Sequence, residues 1–401
     1  MMKLLLGLSL LGLLSSTVFS ILVFRAAGRF VRRRRDALRA DSPSFSAPVS
    51  LFKPLHGDEP QLEAHLESFF RQDYPKYEIL FGARVATDPG LEAARRVAAR
   101  YPHIPVKYVL TGEPWHINAK VCTLELMERA AAYDIFIVSD SDVRVTPNYL
   151  REVAAPFADS KVGAVTCLYR GVGSNGLWSK LEGAGMSVEM TAGVLVADML
   201  EGTQFTLGPT MAARRSCVQE MGGFGSLGSY CADDFVLGNR IHNNGHTVVL
   251  STHIIDHIVL NEDFVDSQKH QIRWMKSTRF SRPKGHFGTC LTFSVPFGIL
   301  GFVAALLDHL PHFAFGLLGF SVLSRALLAA VISRNVVQEK NWLQTAALFP
   351  LRDLLGFFYW AASYAGSTIV WRNQNYILTT DGLMLPAEAE DDSKSAPAFT
   401  S

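Results

Sequence analysis

Cysteine is scarce in this 401-residue chain, and nothing pairs it. Cys122, Cys167, Cys217, Cys231 and Cys290 are scattered, none lies in a C-x-x-C pair, and the count is odd. That excludes the usual structural zinc spacing, argues against a disulfide framework, and fits a reducing compartment. Charge of one sign is also lacking, since 38 Lys and Arg face 37 Asp and Glu for a formal net charge of +1. A general nucleic-acid binder carries a basic excess, so no nucleic acid is expected as a partner. Apolar residues are plentiful at 48%. Their distribution matters more than their total.

Leu4 to Phe24 holds no charged residue and is long enough to span a bilayer. Arg25, Arg29 and the run Arg32 to Arg35 follow it. A cleaved signal peptide carries its main charge before the apolar core, with Ala26-Ala27-Gly28 as the only cleavage-like site here. The charge after the core points instead to an uncleaved anchor, with everything downstream on the cytoplasmic side. This makes residues 1–31 an N-terminal anchor with a basic flank.

After a polar linker over Ala40 to Ser46, strands and helices alternate. Strands are expected at Pro48–Lys53, Tyr77–Ala83, Val106–Leu110, Ile135–Ser139, Val162–Tyr169 and Thr247–Ser251. Helices are expected at Glu59–Phe70, Gly90–Arg100, Asn118–Ala132 and Ala232–Asn243. Alternation of this kind implies an α/β domain with a parallel, Rossmann-like sheet and right-handed crossovers, over residues 45–285. From Phe287 the composition turns apolar. Phe287–Leu307 and Phe313–Ser333 are of span length, the second carrying Arg325. Trp342–Trp371 is broken by Pro350, Arg352 and Asp353, which suggests a short span at Leu354–Val370 after an interfacial or re-entrant piece at Trp342–Phe349. Residues 286–371 are thus transmembrane or interfacial, and 372–401 a polar tail, disordered beyond Leu385. A parity problem follows. A fourth full crossing would put Trp371–Met384 on the side opposite the catalytic domain.

Three constellations carry chemistry. The apolar run Ile135–Val138 stops at Ser139-Asp140-Ser141-Asp142. In an open parallel sheet, ligands bind at the carboxyl ends of the strands. Asp140 and Asp142 there offer hard oxygen ligands for a divalent ion able to hold a diphosphate; the alternative is a capping loop. Second, Asp233 and Asp234 open a helix, either as N-terminal caps or with one as a carboxylate that takes a proton from a hydroxyl. Third, Arg273-Trp274, ahead of Arg279 and Arg282, can clamp a phosphate, touch lipid headgroups, or both. Two smaller features join them. Asn118 and Lys120 begin a helix whose amides could hold an anion. Asp88 follows the second strand, either as an ordinary turn acid or as a ligand for a base or ribose. The segment Gly171 to Gly176 fits G-x-G-x-x-G literally, but it follows the fifth strand rather than the first, so a mobile glycine loop near an acceptor is the better reading than dinucleotide binding.

Taken together, these residues resemble the ceramide glucosyltransferases, glycosyltransferase family 21/2 enzymes of GT-A type, including bacterial relatives associated with hopanoid biosynthesis. The likeness runs from about Ser50 to Gly285 and again over Trp371–Tyr376. Its most specific pieces are Phe52-Lys53-Pro54-Leu55, Asp73 to Glu78, Asp140-Ser141, Asp233-Asp234 and Arg273-Trp274. Asp88, Asp140 and Asp234 match the family's three aspartates. Arg273 and Trp274 match its terminal (Gln/Arg)-x-x-Arg-Trp motif, with His270 at the first position. The resemblance implies a membrane-bound hexosyltransferase of glycolipid metabolism, moving sugar from a UDP-sugar to a ceramide-like or hopanoid lipid with inversion. Asp88, Lys53, Asn118, Lys120 and Asp140 would bind the donor. Asp140 and Asp142 would carry Mg²⁺ or Mn²⁺. Asp234 would be the base beside Asp233, and Arg273, with Lys120, would stabilise the departing UDP, with Trp274 beside it in the catalytic set. The bilayer, in a bacterium the inner membrane, would be a partner. A processive polysaccharide synthase of the same fold, or a non-enzymatic membrane scaffold, are the competing readings.

Overall fold

The computed structural model describes residues 1–39, 45–173, 176–260, 263–371 and 374–387. A long helix α1 (Met2–Arg39) leads into β1 (Val49–Pro54), α2 (Leu62–Phe70), β2 (Tyr77–Ala83), α3 (Pro89–Ala98), β3 (Val106–Leu110), α4 (Ala119–Ala130) and β4 (Ile135–Val138). These are the alternating elements expected, with ends shifted by a few residues. The short β5 (Val143–Arg144) and α5 (Tyr149–Ala154) follow, then β6 (Val162–Gly173), α6 (Leu177–Ala184), a π-helical turn Gly185–Met190 and α7 (Thr191–Glu201). After β7 (Met211–Arg214) and α8 (Arg215–Glu220) come α9 (Asp233–Asn243) and β8 (Thr247–Val259).

One eight-stranded sheet has the order β3-β2-β1-β4-β7-β6-β8-β5. Its first four strands are parallel, as the alternation predicts. The sheet is mixed, however, because β7 runs antiparallel between β4 and β6, and β5 antiparallel to β8. β7 has only four residues, too few for a period to stand out in the sequence. The reason β4 reads as unbroken apolar is visible in its packing. Ile135 and Ile137 enter one core, Phe136 and Val138 the other, so both faces are covered.

The glycines at Gly171 and Gly173 have a packing role. A Cβ at Gly171 would lie 2.6 Å from Gly183, and one at Gly173 2.8 Å from the Ser179 carbonyl. They let the end of β6 lie directly on α6, which corrects the reading of a mobile loop at these two positions; 174 and 175 lie outside the described residues.

The remaining elements are α10 (Phe264–Ser281), α11 (Pro283–Thr289), α12 (Val295–Leu307), α13 (Pro311–Val331), α14 (Trp342–Ala362), and a small antiparallel sheet of β9 (Thr368–Trp371), β10 (Gln374–Leu378) and β11 (Met384–Pro386). α1 and α13 are each long and apolar enough to cross a membrane, whereas α11 and α12 reach that length only together and meet at a 47° bend. The run 177–201 also passes by composition, but 61% of its apolar window is buried, so it is a core element laid on the sheet.

Two expectations near the C-terminus need correction. No span occupies Leu354–Val370. α14 continues straight through Pro350 to Ala362, and residues 368–371 are a strand. Arg352 and Asp353 do not break α14 because both are buried with partners, Arg352 3.0 Å from Glu189 and Asp353 accepting the Ser294 and Val295 amides at the start of α12. Its outward face carries Leu343, Leu351 and Phe358 instead. Second, residues 374–387, within the stretch expected to be a polar tail, form β10 and β11. They dock on the α/β domain through the Met384 amide on the Ser229 carbonyl and an apolar cluster that includes Ile369, Leu378 and Met384. The rest of the tail, 388–401, lies outside the described residues.

Candidate active site

The parallel half of the sheet ends its strands on one edge, and the acids cluster there. The turn after β4 presents Asp140, and the start of α4 brings Lys120 to it, Nζ 2.6 Å from Asp140 Oδ1 and 3.9 Å from Asp233 Oδ2. Asn118 makes this possible. It is buried, caps α4 by accepting the Lys120 amide at 3.1 Å, and donates to the Tyr230 carbonyl at 3.1 Å. Both ends of its amide are therefore occupied in holding two loops together. Lys120 is held firmly protonated: burial opposes its charge, but Asp140 and Asp233 outweigh that.

α9 supplies the acid pair. Asp234 accepts the Gly208 amide at 2.7 Å on Oδ2 and the Phe235 amide at 2.8 Å on Oδ1. Asp140 and Asp234 converge on Gly208, where a Cβ would sit 3.6 Å from one and 3.2 Å from the other. A larger residue at 208 would fill the gap between the two carboxylates. Burial, then the neighbouring Asp233, push the Asp234 carboxyl up to about 6. Asp233 is raised as well, by burial first, against the pull of Lys120, and its Oδ2 is buried with no hydrogen-bond partner.

Asp142 sits on the other side of Asp140. It does not cap the next turn. Its Oδ2 is 2.9 Å from His257 Nε2, and its Oδ1 is buried and unpartnered. The pairing of β5 with β8 creates this contact by placing Val143 opposite His257. Burial raises the Asp142 carboxyl, but His257 more than offsets it, so the group lies below the ordinary carboxylate range and His257 above the ordinary imidazole one. The sequence reading missed His257 because its approach depends on a two-residue strand.

The other expected residues occupy different places. Lys53 is fully buried beneath the edge, with Nζ on the Asp140 carbonyl and 3.9 Å from the Phe69 ring centroid. Burial pulls its amine down to about 7 against Asp140, Asp142 and Glu59, so it supports the turn from below. Asp88 caps α3 through the Gly90 and Leu91 amides and holds the Gly57 amide at 3.0 Å. Arg273 reaches the start of α9 beside Cys231 and forms no ion pair among the described residues. Trp274 packs on His270, 4.3 Å between ring centroids, and against the main core. His270 pairs with buried Glu182 at 2.6 Å.

Among the described residues no three His, Cys, Asp or Glu side chains come close enough for an all-protein metal cage. A magnesium-like ion rarely needs one, since it is held by one or two carboxylates together with substrate phosphates. The unpartnered Asp142 Oδ1 and the carboxylate of Asp140 fit that arrangement.

The model of the family described as Glycosyl transferase family 21 matches residues 10–384. Ceramide glucosyltransferase 1 of Caenorhabditis elegans is 28% identical over 51% of this chain and 44% of its own length. Ceramide glucosyltransferase 3 of the same organism is 24% identical over 84% of this chain and 74% of its own. Among solved structures, a mannosyltransferase from Pyrobaculum calidifontis in complex with GDP-Man and Mn2+ shares 21% identity, with a TM-score of 0.48 over 85% of this chain and 99% of that one.

Proposed function

The chain belongs to glycosyl transferase family 21, and from that membership we propose that it is a membrane-bound hexosyltransferase. Its donor is a UDP-sugar and its acceptor the hydroxyl of a ceramide-like lipid. The observation that carries this reading is Asp234, a carboxyl raised to about 6 and held across Gly208 from the Asp140–Lys120 pair. A base is most useful when its pKa lies near the working pH.

In the mechanism, the acceptor oxygen attacks the anomeric carbon while its proton passes to Asp234. The bond from that carbon to the diphosphate breaks, and its electron pair leaves with UDP, so the configuration inverts. Lys120 and Arg273 supply fixed positive charge where negative charge develops on the leaving group. Asp140 and Asp142 would hold a divalent cation, Mg²⁺ or Mn²⁺, which supplies Lewis-acid stabilisation of the diphosphate. Asp88, through the loop it ties, and Lys53, through the Asp140 turn, shape the donor side.

The helices supply the reason for a lipid acceptor. α1, the bent α11–α12 pair and α13 make three crossings, with the Arg32–Arg35 end of α1 on the catalytic, cytoplasmic side. α14 lies along the membrane surface with its apolar stripe in lipid, an arrangement typical of interfacial helices. The test is incubation of membranes containing the full chain with a panel of UDP-sugars, with and without divalent ions, followed by mass spectrometry of the lipids. A hexosylated lipid that depends on Asp234 is the expected product. UDP release without any lipid product would overturn the acceptor assignment.

A further inference from the structure

Beside Asp234 lies a cavity of about 210 Å³ that none of the roles above uses. Its rim comes from Glu201 at the end of α7 and from Gln204 and Phe205 in the segment after it; from α9, with Phe235 and Asn239; and from Arg282 between α10 and α11. The Phe205 and Phe235 rings stack, with centroids 5.8 Å apart and planes inclined by 25°, and form an aromatic wall of the cavity. The Arg282 guanidinium stands 5.5 Å above Phe205 and reaches Glu201 at 3.4 Å.

Three observations tie this cavity to the chemistry. First, its aromatic wall and the base share a frame. The Thr206 hydroxyl donates to the Asp234 carbonyl at 2.6 Å, the Gly208 amide holds the Asp234 carboxylate, and Gly238 has no room for a Cβ, with Thr206 N at 2.3 Å. On α9 the Phe235–Asn239 row is the neighbour of the Asp234–Gly238 row, because residues four apart stack on one face. Second, the cavity lies beside segments that lead to the helices proposed to enter the membrane. Arg33, at the basic end of α1, pairs with Asp198 at 3.0 Å, and Asp198 accepts from Thr203 at 2.8 Å. Arg282 directly precedes α11, which leads into α12. Third, the lining is polar but electrically balanced, with one acid, one base and two amides beside the stacked aromatic pair. A site for an anionic headgroup would carry uncompensated positive charge.

We propose that this cavity is the anchoring site for the acceptor's headgroup and that it selects an uncharged headgroup with hydrogen-bonding groups beside the reacting hydroxyl. This rests on the acceptor being a lipid alcohol, as proposed above. The carbon skeleton of the headgroup lies on Phe205 and Phe235. Asn239, Gln204 and the Glu201–Arg282 pair hold its polar groups, and the reacting hydroxyl turns toward Asp234.

The experiment uses the full chain in phosphatidylcholine nanodiscs and a short-chain ceramide carrying a diazirine next to its amide. Mass spectrometry maps the photolabel, and a parallel assay measures sugar transfer. Label on peptides covering 199–205 and 235–239, competed by unlabelled ceramide and not by phosphatidate of the same chain length, is the expected result. Label elsewhere, or equal competition by phosphatidate, overturns the site. In the transfer assay, Glu201→Arg and Arg282→Glu each raise the ceramide KM about tenfold or more, equivalent to one strong polar contact, with the UDP-sugar KM unchanged. The double exchange restores it to within about threefold, as a pairwise interaction requires. A shift in donor KM instead would overturn the assignment. The two levels separate cleanly, because label in the cavity without transfer sinks hexosyl transfer, whereas transfer with label elsewhere sinks only this site.

Discussion

Asp234 has two measurable consequences at the scale of one residue. Its carboxyl is raised to about 6, so the folded chain keeps a proton there that the unfolded chain gives up near pH 4. Folding therefore takes up a proton in that window, and stability falls as pH rises through it and stays lower above about 6. The sign is opposite to that of a salt-bridged aspartate. Unfolding in denaturant at pH 4 and pH 7 should show a loss of about 1–3 kcal/mol from this group, and Asp234→Asn should flatten that difference. In catalysis the same variant should lose transfer by about 10²–10⁴-fold and lose the rise in kcat near pH 6, while UDP-sugar binding stays intact. Asp142 gives the contrasting case. Removing its carboxylate should weaken Mn²⁺-dependent UDP binding by calorimetry, and His257→Ala should weaken it less, because the imidazole only orients the carboxylate. The acids at the strand ends were legible because charge after an apolar run has few packing explanations. What they touch was not. Asn118 and Lys53 face inward and Asp142 meets His257, relations fixed by contacts 86 to 115 residues apart in the chain.

Legibility of the elements follows burial geometry. β4 could be read because two covered faces leave an apolar run with a charged end, and α3 because its cap, Asp88 before Pro89, is local. α14 misled because charge inside an apolar stretch was taken as a break in a helix. There it marks the buried face, and the apolar stripe faces outward. Asp353 is the centre of that face. It caps α12 through two amides and lies 3.8 Å from Arg325, which is itself buried and also reaches Ser16 and Ser20 of α1. One carboxylate thus joins α1, α12, α13 and α14. Asp353→Ala leaves the Arg325 charge buried without its partner, a change that typically costs about 3–5 kcal/mol. The thermal unfolding midpoint in detergent should fall accordingly. A second replacement, Arg325→Met, should recover much of the loss, since the penalty arises from the stranded charge rather than from the missing pair.

For the whole molecule, the contacts of α14 bear on the parity problem in the sequence. A crossing helix carries its two ends to opposite faces, but both ends of α14 are tied to the catalytic domain. Arg170 donates to the carbonyls of Val337 and Gln338 just before it, and Arg279 to that of Ser363 just after it. Lys276 then holds the Thr368 carbonyl of β9 at 2.8 Å, and Tyr230 bridges to Leu383. With α14 off the count, the proposed crossings between the catalytic domain and the C-terminal sheet are two, α11–α12 and α13, an even number that would return the sheet to the side of the active site. Single cysteines can test this in a chain whose partly exposed Cys231 and Cys290 are replaced by Ser. In that background the thiol of His309→Cys, in the turn between α12 and α13, should react with a membrane-impermeant maleimide from one side of sealed vesicles. The thiols of Glu113→Cys, near the active-site edge, and Asp381→Cys, in the turn before β11, should react only from the other. If position 381 labels together with 309, α14 crosses the membrane. The docking of β9 to β11 beside Asp233 could not then exist in the bilayer-embedded enzyme.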